Sequence, residues 1–218
     1  TPCFLLSGVI PLALLMKPLF SKFLIMGSSL LTTLLIAYPG NTCDCALKYK
    51  INPEQSNLSF VSFKNGTDEV SGIFKKVSGT FQVKPAKTDS KRLTIKSGAF
   101  AVYINSLDTN LKKRDKNILQ YFFETRKNRI YKKALFTLKE PFKINLRRKK
   151  QKAVLKGSLS LHGRREPLIV PVIIKKEGGD LRIKNSKPIT IDFEKWSFLK
   201  SASKLMKVCG HNELKSKA

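Results

Sequence analysis

The chain has 218 residues, of which 42 are Lys or Arg and 15 are Asp or Glu, a formal net charge of +27. With only two histidines, His162 and His211, neither a three-histidine metal site nor an HxH pair can be assembled. A chain of this length supports one domain with a sizeable core, and no repeat, low-complexity linker or coiled-coil heptad divides it.

In chain order, the first 45 residues differ in composition from everything after them. From Met16 the sequence reads MKPLFSK, then FLIMGSSLLTTLLIA (Phe23 to Ala37), then YPGNTCDC. A basic, then apolar, then small-residue order is that of a secretory signal peptide. Residues Thr1 to Leu15 read as sequence upstream of a start at Met16. Cleavage after Cys45 leaves residues 46–218 as the folded domain, beginning Ala46-Leu47-Lys48-Tyr49. The apolar run is shorter than the about 20 residues of a bilayer-spanning helix, which favours cleavage over an uncleaved inner-membrane anchor. Gly40-Asn41-Thr42 before Cys43 does not suit a lipoprotein signal. The trimmed chain keeps only Cys209, so no intramolecular disulfide is expected and stability rests on the core.

From Leu47 onward apolar residues alternate with period two, the signature of strands with one buried face. "LKYKI" runs into an Asn52-Pro53-Glu54 turn, "NLSFVSFK" follows, and Asn65-Gly66 turns the chain. "VSGIFKKVSGTFQV" sets Phe74, Val77, Phe81 and Val83 among small residues, and the long "RLTIKSGAFAVYI" is expected to bend or bulge at Ser97-Gly98. "INSLDTNLKKRDKNILQYFFET" then interrupts the strands. Ser106 to Thr109 ends a strand with side-chain oxygens suited to a turn or helix cap. Leu111 to Phe123 reads as a short helical crossover, with Lys112, Lys113 and Lys116 in solvent and Ile118, Leu119, Phe122 and Phe123 forming an apolar stripe. Arg114 and Asp115 are sequence neighbours and do not face each other on a helix, so each is expected to pin the crossover to a different part of the fold. Beyond it, "IYKKALFTL", "FKINL", "AVLKGSLSLHG", "EPLIVPVIIKK", "DLRIK" and "PITIDFEKWSF" supply further strands, with "LRRKKQK" as a hairpin tip. Strands this numerous at hairpin spacing, without βαβ alternation, predict an all-β antiparallel barrel or sandwich; barrel closure is favoured because it removes sheet edges.

Catalytic constellations are scarce. Ser160 and His162 share a strand face, but alternate Cα atoms lie about 7 Å apart, and no G-x-S-x-G elbow accompanies them. His162 before Gly163 reads as a strand-end residue, and Cys209 as a packed or surface thiol. No catalytic residue, metal or cofactor is assigned. What the chain does have is aromatic mass: Phe60, Phe74, Phe81, Phe100, Tyr103, Phe122, Phe123, Phe136, Phe142, Phe193, Trp196 and Phe198 fall largely on apolar strand phases or at the crossover, and Leu159 and Leu161 are taken with them as cavity lining. An ordinary β core explains any one of them. Together they suit a lined cavity, since a barrel of about eight strands can be filled or can hold one small ligand.

The basic excess raises nucleic acid as a partner, yet the lysines recur in nearly every segment, alternating with apolar residues as solvated strand faces do. Anionic phospholipid surfaces are the more natural neighbour of an exported chain, and nucleic acid is not assigned. The alternative, a secreted basic barrel binding nucleic acid or another polyanion, needs aromatic rings on an exposed face.

Several of these segments, in order, resemble the YceI family of secreted, lipocalin-like, polyisoprenoid-binding proteins. "YKINPEQSNLSF" is similar to the family opening at Tyr49, Ile51, Ser56 and Phe60, with Gln55 where a histidine is usual. "INSLDTNLKKRDKNILQYFF" resembles the Ser-Ile-Asp-Thr, Arg-Asp-x-His-Leu, Phe-Phe series at Ser106, Asp108, Thr109, Arg114, Asp115, Phe122 and Phe123, with Asn117 and Ile118 replacing His-Leu. "GSLSLHGRREPLIVPV" matches at Gly157, Leu159, Leu161, Gly163 and Pro167, and the tail from Phe198 matches poorly. The resemblance implies an extended antiparallel barrel of about eight strands with a short helical crossover, an apolar tunnel for a long isoprenoid or isoprenoid quinone, export to the periplasm, and no catalysis. Oligomeric state is left open.

Overall fold

The computed structural model describes residues 5–8, 14–18, 47–64, 68–86, 88–210 and 214–215. The apolar core of the expected leader and its cleavage point, the Asn65-Gly66 turn and His211 lie outside them. The described strands are β1 (Leu5–Gly8), β2 (Leu14–Pro18), β3 (Leu47–Ile51), β4 (Leu58–Lys64), β5 (Asp68–Phe74), β6 (Val77–Ala86), β7 (Asp89–Tyr103), β8 (Leu107–Asp108), β9 (Lys133–Leu138), β10 (Phe142–Asn145), β11 (Lys150–Leu161), β12 (Arg164–Glu177), β13 (Asp180–Asn185), β14 (Ile189–Asp192) and β15 (Leu214–Lys215). The described α-helices are α1 (Lys112–Asn117) and α2 (Leu199–Cys209), with short 3₁₀ turns at Pro53–Gln55, Ile104–Ser106 and Arg129–Lys132.

The main sheet runs β10-β7-β6-β3-β2-β13-β12-β11-β9, and a β7–β9 pairing brings its ends together. Every pairing is antiparallel, so the strands from β7 round to β9 form a ring of eight with β10 on its flank. The all-β barrel expected from the alternation is therefore the observed architecture. The ring passes through β2, whose Met16 opposes both Ile51 and Leu181, and β1 pairs with β14. Backbone of the segment assigned above to the leader thus lies between β3 and β13.

β7 does bulge, at Lys96, one residue before the expected Ser97-Gly98. Gln82 opposes Ser97 while Val83 opposes Ile95, leaving Lys96 without a partner. The insertion shifts the side-chain phase: Leu93 and Ile95 are buried before it, Phe100 and Val102 after it. Beyond the bulge, Gly98 faces Phe81 across the ladder, and the Phe81 ring lies over it where a Cβ would collide. Gly157 accommodates the Phe136 ring in the same way.

A smaller sheet, β15-β4-β5-β8, stands beside the ring. Two of the crossings between the sheets are at Lys75-Lys76 and at Ile104–Ser106, and Ser106 joins them. Its hydroxyl accepts from Lys76 N–H (2.9 Å) and donates to the Tyr103 carbonyl (2.6 Å), while its own carbonyl accepts from Lys75 N–H (3.1 Å). Asp108 holds the same corner through Lys75 and through the Asn110 N–H at 2.8 Å. The "LRRKKQK" run forms the turn from β10 to β11. Gln151 straps it by accepting from Asn145 N–H and donating to the Asn145 carbonyl, at 3.0 and 3.1 Å.

Candidate functional site: an apolar cavity closed by the crossover

The crossover is helical as the stripe predicts, with α1 running into a π-helical turn at Ile118–Phe122. Lys112, Lys113 and Lys116 are exposed, Ile118 and Phe122 are buried, and Leu119 and Phe123 are half-buried. The extra residue of a π turn rotates the residues that follow it; here Phe122 and Phe123 both reach the barrel, with their rings edge to face at 5.0 Å.

The expectation that Arg114 and Asp115 pin different parts of the fold is corrected: both converge on Thr109. Asp115 Oδ1 accepts from the Thr109 N–H (2.9 Å) and hydroxyl (2.5 Å), and Arg114 donates to that hydroxyl oxygen (2.8 Å) and to the Thr109 carbonyl (2.5 Å). Thr109 offers an N–H, a hydroxyl and a carbonyl from one position. Two side chains about 100° apart on the helix can each reach a different one of those groups.

Beneath the crossover lies a cavity of about 260 Å³, near the lower end of ligand-sized cavities at about 300 Å³. Of the residues assigned to a tunnel or lid from sequence, Phe60, Phe74, Phe100, Phe122, Phe123, Phe136, Leu159 and Leu161 line it. Phe81 and Trp196 do not: both are 3 % exposed and packed in the core elsewhere. Phe81 belongs to the core with Val83, Ile95, Ile51, Ile144 and Ile174, none of which lines the cavity. Alternation shows which strand face is buried; it carries nothing about which stretch of the barrel axis stays open.

Rings meet around the cavity. Phe100 stacks on Phe136 at 5.2 Å, Phe60 lies 5.6 Å from Phe74, and Phe122 stacks on Phe198 at 4.5 Å. Among the lining residues only Ser62 and Arg114, apart from the Cys209 thiol, bring polar side-chain atoms. Such a wall can desolvate hydrocarbon at about 0.8 kcal/mol per CH₂ and offers almost nothing to a polar chain.

Sequence reasoning missed the wall contributed by α2, where Leu205, Met206 and Cys209 line the cavity. The signal was present: Ala202, Leu205, Met206 and Cys209 follow i, i+3, i+4, i+7 spacing, and Gly210 ends the helix in a left-handed C-cap. Phe193 and Phe198, flanking the "FEKWSF" turn, also line it.

His162 does end a strand, but it is buried. Its ring stacks on Tyr131 at 4.3 Å and on Phe198 at 4.5 Å, with Nε2 3.6 Å from Glu124 Oε2. Burial lowers its pKa below the usual value against the opposing pull of Glu124 and of the Trp196 backbone. Burial also opposes ionisation of Glu124, but hydrogen bonds from Lys127 and then Lys204 outweigh it and leave that pKa lowered. Among the described residues no group of three or more His, Cys, Asp or Glu could hold a metal ion, and no helix is long and apolar enough to cross a membrane.

A family model described as a YceI-like domain matches residues 49–213. Among solved structures, a polyisoprenoid-binding domain from Saccharophagus degradans implicated in plant cell wall breakdown is 18 % identical. That match covers 73 % of this chain and 86 % of that one, with a TM-score of 0.56. A YceI protein of Campylobacter jejuni is 23 % identical over 66 % of this chain and 80 % of that one, TM-score 0.45. BcnA of Burkholderia cenocepacia is 18 % identical over 64 % and 98 %, TM-score 0.43. No curated protein matches the sequence.

Proposed function

The chain belongs to the YceI-like family, matched over residues 49–213, and from that premise we propose that it is an exported protein that holds a long-chain isoprenoid, of polyprenyl or isoprenoid quinone type, for transport, storage or sequestration. The carrying observation is the cavity itself, walled by aliphatic and aromatic side chains and closed by the crossover and α2. The Saccharophagus degradans relative, described as polyisoprenoid-binding, supports the choice of ligand class. Binding rather than catalysis is the reading we propose, supported by a described lining that is apolar apart from Ser62, Arg114 and Cys209.

Export rests on the sequence from Met16 to Cys45, and the periplasm is the proposed compartment. Cleavage after Cys45 takes away β1 and β2 and leaves β3 and β13 without the strand between them; the secreted product should begin at Ala46 by N-terminal mass, and retention of Phe23 to Ala37 would favour an inner-membrane anchor. The basic exterior suits anionic bilayer surfaces, so binding to anionic vesicles should weaken steeply with salt. The polyanion-binding alternative needs exposed rings, and the rings named above are buried or half-buried.

Organic extraction of the purified protein followed by mass spectrometry tests the ligand class. A co-purified prenyl lipid, or saturable uptake of a prenyl alcohol by the delipidated protein, is expected. An empty protein that takes up neither prenyl alcohol nor quinone would overturn the proposal.

A further inference from the structure

Three loops meet on the outer side of Phe198, and each enters with a left-handed residue: Glu124 (φ 49°) after the crossover, His162 (φ 49°) in the β11–β12 turn, and Ser197 (φ 58°) before α2. Non-glycine residues rarely adopt this conformation, and where they do the surrounding structure holds them there. Between the loops lies a second pocket of about 390 Å³, separate from the apolar cavity and polar where that one is not. Phe198 lines the apolar cavity, stacked on Phe122 at 4.5 Å, and His162, stacked on its ring at 4.5 Å, lines the polar pocket.

The pocket has an unbalanced charge. Lys127, Lys200, Lys204 and Arg164 line it against the single carboxylate of Glu124, which already pairs with Lys127 and Lys204. Among the described residues no carboxylate pairs with Arg164 or Lys200; Arg164 spends only Nε, donating to Ser197 Oγ at 2.8 Å. The His162 side chain, 6 % exposed, lines the same pocket, and neither of its ring nitrogens makes a hydrogen bond of normal geometry. Both nitrogens are shut off from solvent and Nε2 lies 3.6 Å from Glu124 Oε2, so the ring backs the pocket and does not open a donor into it.

We infer that this pocket binds a phosphoryl group, with the Arg164 guanidinium and the Lys200 ammonium as its principal charge partners and the His162 ring as its inner wall. A phosphoryl dianion offsets the excess of cations better than a monoanion, and a guanidinium with both terminal nitrogens free matches two of its oxygens. The phosphoryl group has two sources: free phosphate, or the head of the amphiphile in the apolar cavity on the other side of Phe198. The second source rests on the proposed lipid-binding function.

The test uses the full chain and three probes: inorganic phosphate, farnesyl monophosphate and farnesol. The chain has two histidines, so imidazole resonances in a ¹⁵N-histidine NMR spectrum are assigned with a single His162→Asn variant. Inorganic phosphate should shift the His162 resonances saturably, and Arg164→Gln with Lys200→Gln should weaken that binding at least tenfold; both residues are exposed, and an unchanged melting temperature verifies the fold. If the amphiphile is the source, farnesyl monophosphate should bind at least tenfold more tightly than farnesol, and the double variant should abolish that difference while leaving farnesol affinity unchanged. Phosphate binding without farnesol binding would retain the pocket and remove the lipid reading. No perturbation of His162 by either phosphorylated probe, or equal weakening of farnesol and farnesyl monophosphate in the double variant, would overturn the inference.

Discussion

Phe122 stacks face to face on Phe198, with centroids 4.5 Å apart and ring planes 6° from parallel. This contact ties the crossover to the segment leading into α2, two parts of the chain far apart in sequence that close the same cavity. Phe122 also meets Phe123 and Phe193 at 5.0 and 5.1 Å. Phe122→Ala should therefore cost about 3–5 kcal/mol and release a bound prenyl chain. Lys113→Ala, at an exposed position, should stay within about 0.5 kcal/mol. Urea denaturation, together with retention of a fluorescent prenyl probe, measures both.

The Thr109 clamp predicts an effect of geometry without burial of new surface. Asp115→Asn leaves one acceptor oxygen but removes the charge that both Thr109 donors face, and should cost about 1–3 kcal/mol. Amide exchange should accelerate at Thr109 and through α1, while β11 and β12 keep their protection. Uniform acceleration would show that the clamp does not act locally.

Leu159 lies on the cavity wall, and its neighbour on the ladder is Phe136. Leu159→Trp fills open volume rather than packed core. The expected result is a loss of prenyl affinity of tenfold or more at a stability within about 1–3 kcal/mol of the parent. Unaltered affinity would place the ligand elsewhere.

Gly98 exists for the Phe81 ring that crosses it. Gly98→Val should destabilise strongly, and Phe81→Leu should relieve part of that loss, giving a coupling of about 0.5–3 kcal/mol in a double-mutant cycle. Additive losses would mean that the ring and the glycine do not compete for the same space.

Acid sensitivity should begin at His162. Its pKa in the folded protein lies below 6.5, so the unfolded chain takes up a proton first as pH falls. Stability is thus fully present above about pH 6.5 and declines below it. Glu124 and Asp108, with folded values below 4.5 and 3.8, add losses of the same sign at lower pH. His162→Asn, an exchange suited to the left-handed backbone at this position, should flatten the decline just below pH 6.5 and keep the lower one. Thermal melts across pH read this directly.

Strand existence, the bulge in β7, the helical crossover and its buried stripe were all legible in the sequence, because each is written in local periodicity and turn chemistry. α2 was equally local and was overlooked: the lysines of "LKSASKLMKVC" mask an apolar spacing that a helical wheel displays. The assignment of Phe81 and Trp196 to the cavity failed for another reason. Both are core residues, and a core residue and a cavity-lining residue share the same alternation.

The sequence by itself determined an all-β chain with one buried face per strand, its family, and the apolar character of what that face encloses, since burial of alternate side chains is set by composition along each strand. Only the tertiary structure decided where the barrel is filled and where it is open, that Arg114 and Asp115 meet at one threonine, and that Glu124, His162 and Ser197 gather around one polar pocket. Those facts depend on strand register and on which distant loops are brought together when the ring closes, and no local pattern carries either.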